Sequence, residues 1–290
     1  MKKLFLLIIF SCFLSFSKNL VLTNTQVTYS IGNDLTKNTN IVIKDVFETN
    51  GSMNSDQTNT FKEVDKSILK DAKAIIDLQR VWNDDVLYEH ARRENIHVIE
   101  IDATYSYQDN SSLALLTDTY HEGDKIGEIN PYTWLNLNNL SKMYKIVAHD
   151  LSLIFPENKE IIEKNLNESL ANLDKIIDKY NDSLNIDGAI YTSESLNYLI
   201  SFLNVYSDFV DYENITKDNV VEIMNNKGLK TFITDRPFKA EILKKINENG
   251  GKVILIKTGA FPEEDENDEE LMKKDGLLNI INDNLKELKK

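Results

Sequence analysis

From Pro156 to Tyr180 the chain runs for about 25 residues with no glycine and no further proline. Apolar residues recur in it at Ile162, Leu166, Leu170, Leu173, Ile176, Ile177 and Tyr180. Steps of three and four place those side chains on one face of a helix. Pro156 stands at the start, where the first N–H groups have no partner and proline is tolerated. At 1.5 Å per residue such a helix spans roughly 37 Å, the width of a whole domain. It can be a stiff strut between two domains or a coiled-coil dimerisation helix, and the flanking sequence favours the strut.

Before it, short apolar runs at residues 20–22, 41–43, 74–76 and 98–101 alternate with helical stretches near 61–69 and 84–93. After it, runs at 189–191, 229–233 and 253–256 alternate with helical stretches near 194–203, 216–226 and 238–249, and a final helix is expected over 268–288. Strands alternating with helices imply a parallel sheet covered on both faces. The expected fold is therefore α/β, in two domains. Each has a central, mostly parallel sheet flanked by helices, and one long rigid linking helix joins them. The boundaries read as 18–154 for the first domain, 155–181 for the linking helix and 182–290 for the second domain.

Residues 1–17 have the pattern of a secretory signal peptide. Lys2 and Lys3 precede an apolar run over 4–16, and Ser15 and Ser17 are spaced like a cleavage site. The run is too short to span a bilayer stably. Export to the periplasm is expected, with a mature chain starting near Lys18. Ile9-Phe10-Ser11-Cys12 is a degenerate lipid-attachment signal, so the alternative is anchoring through Cys12, although Phe10 fits it poorly. Cys12 is the one cysteine in the sequence. Once it is removed, neither a disulfide nor thiolate chemistry is open to the chain.

The formal net charge of -14 argues against nucleic acid and anionic membrane surfaces as partners. The sequence holds no Gly-x-Ser-x-Gly elbow and no phosphate-binding glycine loop, and the mature chain has no thiol. The chain is not expected to be an enzyme.

At Asn130-Pro131-Tyr132-Thr133-Trp134-Leu135-Asn136 the chain resembles the metal-binding family of ABC-importer solute-binding proteins, the manganese, zinc and iron binders. Their motif there is Asn/Asp-Pro-His-x-Trp-Leu-Asp/Asn, followed by a helix and an Asp-Pro-Glu-Asn-like turn into a long linking helix. This chain has Phe155-Pro156-Glu157-Asn158-Lys159 at that turn. Downstream, Tyr191-Thr192-Ser193-Glu194 resembles the Thr-Ser-Glu ligand motif of the manganese-type branch, and Asp235-Arg236-Pro237-Phe238 also looks like that branch. Asn267-Asp268-Glu269-Glu270-Leu271 resembles a Gly-Asp-Ser-Tyr-Leu segment whose aspartate is a ligand. The resemblance covers nearly the whole mature chain in order.

The departures concern the metal. The family brings two histidines from its first half. Tyr132 occupies the place of the second, and the first falls within residues 52–57, where no histidine stands. The resemblance thus implies a site of Tyr132, Glu194 and Asp268, with Asp56 or Asn54 in the first histidine's place. Such a site is oxygen-only. Carboxylate and carbonyl oxygens suit manganese, magnesium and calcium better than zinc, which imidazole favours. A phenolate would suit ferric iron. Alternatively, Tyr132 fills the space and no metal binds.

What the resemblance implies is capture of a metal ion (manganese, iron or zinc) between the domains and delivery to an ABC permease in the inner membrane, by a monomer. Two other functions stay open: an interaction or adhesion protein with a degenerate site, and capture of another small solute lined by Tyr132. His121 lies in the polar stretch before the Asn-Pro-Tyr motif, where the family can carry a histidine-rich loop. His90, His97 and His149 are expected to be structural, Trp82 to pack, and Trp134 to be buried where the domains meet.

Overall fold

The computed structural model describes residues 19–47, 53, 57–62, 64–107, 111–113, 116, 129–183, 186–260, 263–264 and 270–289. The signal-peptide region with Cys12, the stretch around His121, and both Asp56 and Asp268 lie outside the described residues.

The first half contains β1 (Asn19–Thr23), α1 (Gln26–Leu35), β2 (Ile41–Asp45), α2 (Gln57–Thr60), α3 (Lys66–Asp71), β3 (Ala74–Asp77), α4 (Leu87–Glu94), β4 (Ile99–Asp102), β5 (Tyr105–Ser106), β6 (Ser111–Ser112) and α5 (Leu137–Ile154). Its sheet has the order β2-β1-β3-β4-β5-β6. The first four strands are parallel, and β5 and β6 are antiparallel additions at one edge. Then comes the strut, α6 (Lys159–Ser183). The second half contains β7 (Ala189–Tyr191), α7 (Asn197–Leu203), β8 (Ser207–Phe209), α8 (Val220–Lys227), β9 (Thr231–Thr234), α9 (Ala240–Glu248), β10 (Lys252–Leu255), the short hairpin β11 (Glu263–Glu264) and β12 (Glu270–Leu271), and α10 (Gly276–Leu288). Its main sheet, β10-β9-β7-β8, is parallel throughout.

The expected α/β architecture is thus observed, with differences at particular elements. The strut begins one turn later than the spacing predicts, because Pro156–Asn158 forms a tighter 3-10 turn leading into it. The last helix starts at Gly276 rather than near residue 268. α1 was not evident from the sequence. Thr25 caps it by accepting from the Thr28 N–H, and Val27, Ile31 and Leu35 line its apolar side.

Side chains alternate across each strand, so each sheet serves two cores. In the first half, Leu20, Leu22 and Ile75 point to an outer core under α3 and α4, with Leu69, Leu87 and Ala91. Ile190 and Phe232 point to an outer core under α8 and α9, with Val220, Met224, Ile242 and Ile246. The opposite faces, carrying Val21, Ala74 and Ile76 in one sheet and Ala189 and Ile233 in the other, belong to one continuous inner core with α1, α5, α6, α7 and α10. Ile162, Leu173, Ile176 and Tyr180 of the strut are buried in it. Each such Leu or Ile stabilises the fold by about 1.5–3 kcal/mol.

The chain's last helix returns to its first. Gln26 of α1 is almost wholly buried, and its carboxamide receives the Lys273 N–H at 2.9 Å and gives to the Lys273 carbonyl at 2.6 Å. Ser30, one turn on, accepts from the Leu277 N–H at 3.2 Å. A Cβ built on Gly276 would come within 2.7–2.9 Å of the Gln26 carboxamide, so a side chain fits there only if Gln26 moves. α10 is tied to the strut through the Tyr180 hydroxyl, which donates to the Ile281 carbonyl at 3.0 Å. It is tied to its own sheet through Asn284, which bonds both backbone groups of Lys257.

Candidate metal site

Two segments carry the candidate ligands that lie within the described residues. In the first, residues 130–136, each motif position has a structural task. Asn136 caps α5, accepting from the Asn138 and Asn139 N–H groups. Thr133–Leu135 forms one 3-10 turn. Trp134 is fully buried and donates its indole N–H to the Thr258 carbonyl at 2.7 Å, so it anchors the loop to the second half beyond the end of β10. Tyr132 is half-buried and lies tilted against Trp134 with ring centroids 5.5 Å apart.

The second segment follows β7. Solutes in open α/β sheets bind beyond the carboxyl ends of the strands, and Glu194 stands there, three residues past Tyr191. Ser193 caps the short turn Glu194–Leu196 and accepts from the Ser195 N–H. A carboxylate is favoured in a first turn by the exposed N–H groups. The turn is braced sideways. The Ser195 hydroxyl donates to Asp235 at 2.7 Å, and Asp235 lies just past the neighbouring strand β9. Burial holds the Tyr191 hydroxyl above the usual tyrosine range, and the nearby Glu194 carboxylate adds to that.

Asn130 joins the two segments. It is fully buried; its side-chain N–H donates to the Glu194 backbone carbonyl at 2.6 Å, and its oxygen accepts from the Tyr132 N–H at 3.0 Å. One amide therefore bonds the main chains of both candidate ligands. Opposite, the Met53 N–H donates to the Ala260 carbonyl at 3.0 Å, so the loop in the place of the family's first histidine meets the loop that follows β10. Asp56 lies three residues beyond Met53 and Asp268 eight beyond Ala260, both outside the described residues.

The candidate donors among the described residues, Tyr132 and Glu194, would both offer oxygen. Among the described residues no group of three or more His, Cys, Asp or Glu side chains is placed to hold a metal ion. The described imidazoles lie elsewhere: His90 is stacked on Phe61 at 4.6 Å beside α3 and α4, His97 precedes β4 and His149 is on α5. Trp82 packs in the inner core. Sequence reasoning singled out Tyr132 and Glu194 as candidates but not the bridging of their loops by Asn130, which only the paired loops reveal. No described helix is long and apolar enough to cross a membrane.

Residues 45–290 match the family described as ZnuA, the periplasmic component A of a zinc-uptake complex. The manganese ABC transporter substrate-binding lipoprotein PsaA of Streptococcus pneumoniae is 42% identical over 67 residues, which is 23% of this chain and 22% of that protein. The chain thus aligns with less than a quarter of the length of the curated relatives it matches. Among solved structures, FpvC of Pseudomonas aeruginosa in complex with Mn2+ superposes with a TM-score of 0.65 over 94% of this chain and 96% of that one, at 11% identity. The Zn(II)-bound ZnuA-like domain of Streptococcus pneumoniae AdcA does so with a TM-score of 0.64 over 93% and 97%, at 15% identity. At those identities the superpositions speak for the fold.

Proposed function

Because this chain belongs to the ZnuA family of periplasmic metal-uptake components, we propose that it captures a metal ion between its two halves and hands it to an ABC permease. The observation that carries this reading is the Asn130 bridge, which holds Tyr132 of one half and Glu194 of the other on the same loop junction. Asp268 completes the set, with Asp56 as the fourth ligand. All four donors are oxygens, so manganese or iron is the cargo and zinc is held poorly. The protein works as an exported, periplasmic monomer that performs no chemistry on what it carries. The first half spans 18–154, the linking helix 155–181 and the second half 182–290.

The test is a thermal-shift titration of chelator-free protein with manganese, ferrous, ferric and zinc ions, alongside metal analysis of the purified chain. A ligand bound by the native state alone stabilises it, by about 2.7 kcal/mol at a hundred times its dissociation constant. Saturable stabilisation by manganese or iron at micromolar concentration supports the reading. No shift with any of the four ions rejects it.

A further inference from the structure

A second group of acids, other than the candidate ligands, stands at the carboxyl ends of the first sheet. Asp77 ends β3 and Asp102 ends β4, and the two are register partners on adjacent strands. Glu100 is two residues before Asp102 and therefore on the same face of the sheet. Asp85, from the loop before α4, reaches the same place. Asp77, Asp85 and Asp102 are all essentially without solvent exposure.

Their hydrogen bonding is unequal. Asp85 accepts from the Leu78 and Leu87 N–H groups and from the Asn24 amide. Asp102 accepts from the Arg80 and Thr104 N–H groups and from the Thr104 hydroxyl. Donors aimed at a carboxylate favour its ionised form. Asp77 has both oxygens buried and neither has a hydrogen-bond partner within normal limits. Of three carboxyl groups close together, the two with well-formed donors hold charge more readily, and Asp77, which has none within normal limits, is the one that favours the neutral form.

We propose that Asp77 is a buried proton-binding site, kept filled by the native chain through neutral pH, whose emptying in alkali loosens the carboxyl ends of β3 and β4.

The groups facing it reinforce this. Burial pushes the Asp77 carboxyl well up; Asp85, Asp102 and Glu100 add to it in that order, and only the Gln79 N–H opposes. Glu100 is itself raised to about 7 and Asp85 to about 6, both chiefly by burial. On β2, Asp45, raised to about 8 by burial, also feels Asp85. Among the described residues the cation acting on this cluster is Arg80, which lies over the Tyr105 ring at 4.2 Å and favours the charge on Asp102. Tyr107 is held up by burial and by the same acids.

The sign follows directly. Asp77 binds its proton more tightly folded than unfolded, so the folded state holds more protons between the ordinary aspartate value and the raised one. Its stabilising contribution is complete below the ordinary value and is lost as pH rises through that window.

The experiment is the melting temperature of the full chain without added metal, from about pH 5.5 to about pH 8, for wild type and Asp77→Asn. Asparagine has the shape of the neutral acid and cannot ionise. Wild type should lose roughly 3 °C per pH unit for each proton involved. Asp77→Asn should flatten that slope by up to one proton's worth and match or exceed wild type at the alkaline end. Parallel curves overturn the proposal, as does a wild type that is more stable in alkali. If Asp77→Asn does not fold, Asp77→Ser gives the same comparison of slopes. A calcium- or manganese-dependent rise at the alkaline end that vanishes in the Asp77 variant would make the site one for a metal cation and overturn the assignment to a proton.

Discussion

The side-chain amide of Asn130 donates to the backbone carbonyl of Glu194 at 2.6 Å, across 64 residues of sequence, while its oxygen holds the Tyr132 N–H. Asn130→Asp keeps the acceptor for Tyr132 but sets a carboxylate against the Glu194 carbonyl. We expect it to cost about 2–3 kcal/mol, the penalty for an unmet buried polar group, and to weaken metal binding along with stability. Asn130→Ala should cost less, since it leaves no charge behind. Equilibrium denaturation of both variants, with metal titrations, checks the order.

The clamp between Gln26 and Lys273 can be isolated by a double-mutant cycle. Gln26→Ala should cost about 1–3 kcal/mol for two buried hydrogen bonds. Gly276→Ala should be destabilising in the wild type, because its Cβ falls within 2.7–2.9 Å of the Gln26 carboxamide. In the Gln26→Ala background the same change should be close to neutral, since the obstacle has gone. Additive costs in chemical denaturation would contradict the packing described.

At the metal site, Glu194→Gln and Asp268→Asn should each abolish the stabilising shift given by manganese or iron, because an oxygen-only site needs both charges to offset dehydration of the ion. Tyr132→His should raise zinc affinity by restoring one imidazole. Isothermal titration of the three variants reads this directly; unchanged zinc affinity in Tyr132→His would place Tyr132 outside the ligand set.

The strut and the common core predict a stiff molecule. Hinge closure concentrates in a few loop residues, and here α6 links the halves while α10 of the second half packs on α1 of the first. Solution scattering should show little change in the radius of gyration on metal addition. A large compaction would disagree.

Export is checked at the N-terminus. Protein recovered from its native host should begin near Lys18 and carry no lipid; a diacylglycerol-modified Cys12 would make it a membrane-anchored lipoprotein instead.

The strut was legible because its apolar residues keep helical spacing for seven turns' worth of chain with nothing to break it. α1 was hidden because Gln26, Thr28, Ser30 and Asn33 are buried beside Val27 and Ile31, so no polar face contrasts with an apolar one. β8 and the β5–β6 extension are two or three residues long and carry no apolar run. The final helix read too early because the acidic stretch before it looks like a first turn. Its start is set by a contact with Gln26, 247 residues away. At the site, Glu194 was legible from its motif. The bridging of Asn130 and the crowding of Asp77, Asp85 and Asp102 were not, since each depends on strands and loops that sequence order keeps apart.

The contact of Gln26 and Ser30 with Lys273 and Leu277 also bears on the order in which the chain can be finished. A chain made from its N-terminus emerges with α1 long before α10. Until residues 273–288 are free, Gln26 and Ser30 of α1 lack their partners Lys273 and Leu277, and the inner core lacks Leu277, Ile281, Leu285 and Leu288. Bringing such distant segments together is the slow kind of step. The earlier half therefore cannot be sealed before residues 273–288 have been made, and a chain cut short before Lys273 would lack the piece that closes over α1.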